Sequence, residues 1–184
     1  MPPSEAALIE RAQKKDETAL LELYERYYAS ILNYVGYRVF DRECAEDLTA
    51  DVFVRMVEKI GTYQPGERPF LAWLYTIARN LVIDNHRRQA AVTLLPIEED
   101  LLPGDSHHPG PDCERIFIRE SLQRAMGQLT EEQRQVIFLK FIEVRENGDV
   151  AALMGKNERA IRSLQHRALA ALQRAVGRDG WDAS

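Results

Sequence analysis

Cysteines and long apolar runs are scarce in this sequence. Its 184 residues include two cysteines, Cys44 and Cys113, which are too few for a disulfide scaffold. We expect both thiols to be reduced, with a regulatory disulfide between them as the alternative. No stretch approaches the ~20 uninterrupted apolar residues of a membrane span, and no secretion signal marks the N-terminus. We therefore expect a cytoplasmic protein that does not insert into membranes.

Motifs for catalysis are also missing. Neither a glycine-rich phosphate loop nor a nucleophile–base arrangement can be read from the sequence, so we expect no enzymatic activity. His107, His108 and Cys113 are three candidate metal ligands, but no fourth ligand accompanies them. A structural zinc site needs four ligands. We therefore predict no metal site and no cofactor.

Positive charge is not in excess over the whole chain. The net charge is −5, from 24 basic and 29 acidic residues, which excludes a uniformly basic, histone-like protein. The distribution of charge is more informative than its sum. Residues 1–60 carry −4, residues 61–90 carry +2, residues 91–118 carry −5 and residues 119–184 carry +2. Acidic and mildly basic segments therefore alternate along the chain.

Proline and glycine collect in the third of these segments. Together with Asp and Ser they argue against a helix over residues 91–113, which we interpret as an acidic, flexible linker. The sequence therefore predicts two small domains, residues 1–90 and residues 114–184, on either side of this linker.

Apolar residues recur at helical spacing in both domains, and no segment alternates convincingly with a period of two, so we predict an all-α fold. Asp16 is a candidate N-cap for a helix with the apolar residues Leu20, Leu21, Tyr24, Tyr27, Tyr28, Ile31, Leu32 and Val35. The next helix has an apolar stripe formed by Ala45, Leu48, Val52, Met56 and Ile60. A third helix is expected to start at Pro69, with a buried stripe formed by Leu74, Ile77, Ala78 and Leu81.

The C-terminal domain has a helix-turn-helix pattern. Thr130 and Gln133 fit a capping box, and a short helix near Asp149–Met154 precedes a glycine turn and a helix from Glu158 to about residue 176. One face of that last helix is polar and basic, and residues 156–174 carry a net charge of +4. Such a face can contact base edges and phosphates. The alternative is an ordinary solvated helix face.

Residues 70–88 interleave aromatic side chains with polar and basic ones. Aromatic rings beside a basic path suit single-stranded nucleic acid, because bases stack on the rings while phosphates meet the cations. Burial of Phe70 and Trp73 in a core is the alternative, and periodicity does not decide between the two.

Three stretches together resemble the sigma-70 family of RNA polymerase sigma factors, in its small group-4, extracytoplasmic function (ECF) type. Residues 46–55 are similar to the core-polymerase-binding helix, D-L-x-Q-E-x-F. Residues 70–88 match the helix that melts and recognises the −10 element, F-x-x-W-L-x-x-I-A-x-N-x-x-x-D-x-x-R. Residues 129–139, followed by Val150, Ala151, Gly155 and residues 161–169, match the −35-binding domain. The resemblance covers most of the chain outside the linker and the tails.

This resemblance implies a factor that docks on the β′ clamp helices of core RNA polymerase, recognises −35 duplex DNA and opens the −10 element. For polymerase binding it indicates Glu46, Asp47, Asp51 and Phe53. For −10 recognition and melting it indicates Tyr63, Trp73, Asn80, Asp84, Arg87 and Arg88. For −35 binding it indicates Lys156, Arg159, Arg162, Ser163, His166 and Arg167. Family members are often held inactive by an anti-sigma factor, so such a partner is also expected.

Several of these assignments have alternatives. The acidic face around Asp47 can simply be solvated. Asp84 can either accept a hydrogen bond from a cytosine or orient the Arg88 side chain, and we prefer the second role. The resemblance places the linker in polymerase near the RNA exit path, where its acidic residues would imitate nucleic acid charge; a solvated tether is equally consistent. A stand-alone helix-turn-helix regulator and an adaptor that binds only proteins are the rival functions.

The chain departs from the family pattern at two places. Gly148 lies where the first helix of the helix-turn-helix is expected, so we predict that this helix is shortened or starts late. Asn157 can still cap the recognition helix. Arg159 stands where glycine is common, so the −35 sequence that relatives prefer does not transfer to this chain.

Overall fold

The computed structural model describes residues 4–93 and 122–178. The elements within these ranges are all helical, which confirms the predicted all-α fold. The α-helices are α1 (Glu5–Gln13), α2 (Glu17–Val39), α3 (Arg42–Lys59), α4 (Phe70–Thr93), α5 (Glu131–Ile137), α6 (Asn147–Met154) and α7 (Glu158–Arg178). A 3-10 turn, Ile60–Thr62, follows α3, and a π turn, Phe138–Ile142, follows α5; residues 122–127 are also helical.

Helices α1 to α4 form an N-terminal domain in which α2 packs against the other three. Helix α1 was not predicted from the sequence. The Ser4 side chain caps this helix by accepting from the N–H of Ala7 at 3.3 Å, and its apolar residues Leu8, Ile9 and Ala12 are buried. This spacing is helical, but one short stripe beside a polar segment gives a weak signal.

The predicted cap of α2 is confirmed, since the Asp16 carboxylate accepts from the N–H of Ala19 at 3.1 Å. The predicted stripe of α3 is buried throughout. On α2 the apolar pattern is wider than the buried face, because Leu21 and Tyr24 are 57% and 38% exposed. These two residues fit the helical spacing of α2 but lie outside its buried face.

Helix α4 begins one residue later than predicted. The carbonyl of Pro69 accepts from the N–H groups of Ala72 and Trp73 at 3.0 and 3.2 Å, so Pro69 immediately precedes the helix. The helix runs through Thr93, three residues into the segment interpreted as a linker. The remaining residues of that segment lie outside the described part of the chain, and among them are Glu98, Glu99, Asp100, Asp105, His107, His108 and Cys113.

The helix-turn-helix of the C-terminal domain lies at α6 and α7, as predicted. The capping box of α5 is confirmed by reciprocal bonds between Thr130 and Gln133, at 2.9 and 3.3 Å. Helix α6 starts early, at Asn147, rather than late. Gly148 is tolerated because it lies in the first turn, where the backbone N–H groups have no partner within the helix. None of the helices in residues 4–93 and 122–178 is long and apolar enough to cross a membrane.

Candidate nucleic-acid interface

Helix α7 presents the basic face that the sequence predicts. Its apolar side, with Ile161, Leu164 and Ala168, is buried against the domain core. The predicted −35 residues on the opposite side are all exposed: Arg159, Arg162, Ser163, His166 and Arg167. They share one face because they are spaced three and four residues apart. The structure thus brings these five residues together.

The turn before α7 fixes the direction in which the helix starts. Gly155 has a φ of 62°, a left-handed conformation that favours glycine. The Asn157 side chain then accepts from the N–H of Ala160 at 2.8 Å, which confirms the predicted cap. The N-terminal end of α7 therefore combines a positive helix dipole with basic side chains, an arrangement suited to phosphate.

Lys156 differs from the other predicted −35 residues. It is half-buried, and its Nζ lies 2.8 Å from the Glu132 carboxylate of α5. Arg162 also has an acidic neighbour, Glu158, at 3.4 Å, but that pair is exposed on one helix and is weak. Lys156 is therefore less available to DNA than the basic residues on α7.

From its middle to its C-terminal end, α4 carries the exposed predicted −10 residues Asn80, Asp84, Arg87 and Arg88. Beside them runs a groove of about 880 Å³ between α3 and α4, lined by Asp47, Asp51, Asn85 and Arg88, among others. The basic end of α4 therefore lies next to the acidic face of α3. The structure brings together two sets of residues that the sequence assigned to different partners.

Cys44 lies in the same groove. It is half-buried, and the Asn85 amide donates to its Sγ at 3.4 Å. Burial raises the pKa of the Cys44 thiol above its usual range, which keeps it protonated and unreactive at neutral pH.

Tyr63 and Trp73 are buried, with 6% and 8% of their surfaces exposed. The Tyr63 hydroxyl donates to the carbonyl of Arg68 at 2.7 Å, and its ring packs edge-on against Phe70 with centroids 5.0 Å apart. Phe70 and Trp73 are buried in the core, which was one of the two alternatives that the sequence left open for them. A base can stack on Tyr63 only after the loop before α4 rearranges.

The predicted polymerase-binding residues divide into exposed acids and one buried ring. Glu46, Asp47 and Asp51 are exposed on α3, and Glu46 pairs with Arg42 at 2.9 Å. Phe53 is 5% exposed. Its ring packs edge-on against Tyr24 of α2, with centroids 4.7 Å apart.

Contacts between the two domains were not predicted from the sequence. They involve one face of α2, formed by Ser30, Asn33, Tyr34, Tyr37 and Arg38 and called here the α2 docking stripe. Its spacing is helical and could have been noticed, but polar and aromatic side chains do not indicate burial. Burial raises the pKa of both Tyr34 and Tyr37 to about 12.

Within the described ranges, no three His, Cys, Asp or Glu side chains are grouped so that they could hold a metal ion. The three candidate ligands noted in the linker lie outside these ranges.

Comparisons with known proteins agree with the geometry. The family described as "Sigma-70 region 2" matches residues 23–92, and "Sigma-70, region 4" matches residues 119–172. "ECF RNA polymerase sigma factor BldN" of Streptomyces coelicolor is 36% identical over 174 residues, covering 94% of this chain and 66% of that protein. "ECF RNA polymerase sigma factor SigD" of Mycobacterium tuberculosis is 31% identical over 176 residues, covering 91% of this chain and 81% of that protein.

A solved structure supports the fold. CnrH in complex with the cytosolic domain of CnrY superposes with a TM-score of 0.63 at 22% identity, covering 95% of this chain and 97% of that one. The two matched regions and the two relatives span both described domains. The chain therefore belongs to the sigma-70 family of RNA polymerase sigma factors, within its ECF group.

Proposed function

We propose that this chain binds core RNA polymerase and directs promoter-specific initiation, with α7 contacting −35 duplex DNA and α4 acting at the −10 element. One observation carries the proposal. A single chain presents a basic helix-turn-helix face and, on a second domain, a long helix with an exposed polar and basic end. A regulator that binds only duplex DNA needs the first feature alone. The proposed role is non-catalytic and cytoplasmic, since polymerase supplies the chemistry.

For −35 binding, we assign phosphate and base contacts to Arg159, Arg162, Ser163, His166 and Arg167. All five are exposed, and arginine can bind both phosphates and the guanine edge. Lys156 has a smaller role in this proposal, because its pair with Glu132 must first break. One such helix makes few phosphate contacts, so the isolated chain should bind DNA weakly.

For the −10 element, Asn80, Arg87 and Arg88 are assigned to DNA contact. The Asn80 amide offers both donors and an acceptor to a base edge, whereas the two arginines suit phosphates. Asp84 lies one helical turn before Arg88, where it can orient the guanidinium. The buried rings of Tyr63 and Trp73 support the loop before α4 in this proposal, and base stacking on Tyr63 would follow a rearrangement of that loop.

Polymerase docking is assigned to the exposed face of α3 and the adjoining part of α2. Asp47, Asp51 and Val54 lie on one face of α3 because they are four and three residues apart. Val57, one turn after Val54, is an exposed apolar residue of α3, and Leu21 and Tyr24 are exposed apolar residues of α2. The Tyr24 ring contacts Phe53 of α3. A surface with an apolar centre and an acidic rim fits a partner with basic and apolar residues, such as the β′ clamp helices of polymerase. Phe53 is buried beneath this surface, and its edge-on contact positions the Tyr24 ring.

An anti-sigma factor is a second proposed protein partner. The sigma factor RpoE of Bartonella quintana has been solved with the anti-sigma factor NepR, and we extend a partner of this kind to the present chain. Its contact surface on this chain is not assigned.

Run-off transcription tests the proposed function. Purified core polymerase is mixed with a promoter library, with and without the chain, and the products are sequenced. The proposal expects specific start sites only when both proteins are present. Failure of the chain to form a complex with core polymerase would overturn it.

A further inference from the structure

Helix α1 holds the turn that leads into the loop before α4. Its last residue, Gln13, is half-buried. The side-chain amide nitrogen of Gln13 donates to the carbonyl of Ile60 at 3.0 Å and to the carbonyl of Tyr63 at 2.8 Å. A primary amide has two N–H donors, and both are used here. One side chain therefore bridges the start of the 3-10 turn and the residue that follows its end.

Lys15, just after α1, makes a second connection to the same region. Its Nζ donates to the carbonyl of Val57 at 2.7 Å. Val57 lies in the last turn of α3, where backbone carbonyls lack partners within the helix and a cation is favourable. Lys15 has a φ of 65°, a left-handed conformation that helix ends usually give to glycine. Such strain persists where the surrounding structure holds it, and the contact with Val57 helps to do so.

The attachment of α1 to the domain depends on its apolar side. Leu8, Ile9 and Ala12 are at most 2% exposed, and burial of this stripe seats the helix. The Gln13 amide is polar and lies at the end of the helix, so the apolar attachment does not depend on it. Its two hydrogen bonds act on the turn rather than on the seat of α1.

The backbone and the ring of Tyr63 are held by different parts of the molecule. Gln13 binds the Tyr63 carbonyl, whereas the Tyr63 ring lies against Phe70 and Trp73, at centroid distances of 5.0 and 5.4 Å. Residues 64–68 are exposed, so they are free to move when the ring leaves this aromatic cluster. The hydrogen bond from Gln13 can persist through that movement, because it involves the backbone alone.

We infer that Gln13 is a positioning residue for the −10 step. It fixes the backbone at Tyr63, so that the Tyr63 ring turns about a fixed point when it moves from the aromatic cluster to an unstacked base. Positioning of this kind lowers the entropy that is lost when the base is captured. Lys15 supports the same role by holding the end of α3. The inference rests on the proposed function, because it requires a −10 base that stacks on Tyr63.

Three variants and a control separate this role from a purely structural one. Gln13→Met keeps the length of the side chain but removes its donors, and Gln13→Lys restores donors. Lys15→Gly suits the left-handed backbone and removes the contact with Val57. Glu10→Gln is the matched control, because Glu10 is exposed on α1 one turn before Gln13.

Hydrogen exchange of the full chain without polymerase measures the hold on the turn. We expect Gln13→Met to speed exchange of the backbone amides at residues 60–64 by about fivefold or more, as for the loss of one ordinary hydrogen bond, while α1 and α2 stay protected. Lys15→Gly should act in the same direction, and Gln13→Lys and Glu10→Gln should match wild type. Unchanged exchange in both Gln13→Met and Lys15→Gly would overturn the inference. Loss of protection throughout α1 in Gln13→Met would assign the residue to seating the helix, and would also overturn it.

Promoter opening measures the consequence for DNA. The chain is mixed with core polymerase and with promoter DNA that carries 2-aminopurine just downstream of the −10 element, where its fluorescence rises as the DNA opens. We expect Gln13→Met to slow opening by about tenfold, the effect of one to two lost hydrogen bonds, without changing binding to core polymerase. Gln13→Lys should recover most of the rate, and Glu10→Gln should keep it.

Promoters that lack a single base, at each −10 position in turn, show whether Gln13 acts through Tyr63. One such promoter should slow the wild-type chain but have no effect on Tyr63→Ala, and this identifies the base that stacks on the ring. On that promoter Gln13→Met and wild type should open DNA at equal rates, because no base remains to be captured. Equal slowing by Gln13→Met on every promoter would indicate a merely structural role and overturn the inference. Failure of the wild-type chain to open any promoter would instead count against the proposed function and leave the exchange result standing.

Discussion

The Asn157 side chain accepts a hydrogen bond of 2.8 Å from the backbone N–H of Ala160, and this bond starts the helix with the basic face. Replacing a capping Asn by alanine costs about 1 kcal/mol. We expect Asn157→Ala to lower the free energy of unfolding by about that amount, as measured in urea. Asn157→Ser retains a capping oxygen and should lose much less. Equal losses in the two variants would show that the cap is not the cause.

The double variant Arg162→Ala/Arg167→Ala tests the −35 face. We expect initiation that depends on the −35 element to fall while binding to core polymerase is unchanged. The salt dependence of DNA binding should also weaken, by about one counterion for each arginine that contacts a phosphate. Arg174→Ala is the control, because Arg174 is exposed on the same helix about two turns further on. Loss of core binding in the double variant would mean that this face has been misassigned.

The acidic face of α3 is tested by Asp47→Lys/Asp51→Lys. Complementary charge mainly accelerates association, so we expect slower association with core polymerase, by about tenfold at low salt and less at high salt. Glu10→Lys, an exposed acid on α1, should leave the rate nearly unchanged. Stopped-flow mixing at two ionic strengths measures the association rates of the double variant and of the control. A rate that is unaffected in the double variant would favour the alternative of a merely solvated face.

Trp73 is tested through stability and DNA opening together. Because its side chain is 8% exposed, Trp73→Ala should lower the free energy of unfolding by about 3–5 kcal/mol. Trp73→Phe keeps most of the buried ring and should lose less. If the residue acts only as core, the Phe variant opens promoter DNA as well as wild type at permissive temperature. A Phe variant that is stable but defective in opening would show that the indole contacts DNA.

The interface tyrosines give a pH dependence. Burial raises the pKa of Tyr34 from its ordinary 10.0 to about 12, so the folded chain holds this proton more tightly than the unfolded chain does. That contribution to stability is complete below pH 10 and is lost as the pH rises towards 12. Tyr34→Phe has no proton to lose, so its stability should fall less over this interval. Urea unfolding across the interval measures the difference, and parallel curves would contradict the assignment.

Local signals in the sequence predicted the local structure well. The caps at Asp16, Thr130 and Asn157 and the buried stripe of α3 depend on residues within a few positions of each other, where helix geometry alone decides. The burial of Tyr63 was not predictable in this way, because it depends on how a loop folds back over the start of α4. Leu21 and Tyr24 fit the helical period of α2, but period alone cannot show that a neighbouring helix fails to cover them.

The docking of the two domains is the largest feature that the sequence did not predict. Arg38 and Glu131 are 93 positions apart, and neither belongs to an apolar stripe. They pair only because the surfaces of the two domains are complementary, and a local sequence pattern contains no information about that complementarity. The exposed site residues on α7 and α4 were predicted because both the basic face and the family motifs are local.

Permanganate reactivity of thymines detects single-stranded DNA at the −10 element, and so it tests directly whether this chain and core polymerase open a promoter together. Promoter DNA is incubated with core polymerase, with the chain, and with both. We expect reactive thymines near −10 only when both proteins are present, and weaker reactivity with the Arg162→Ala/Arg167→Ala variant. Duplex DNA that is bound tightly by the chain alone and never opens with polymerase would contradict it.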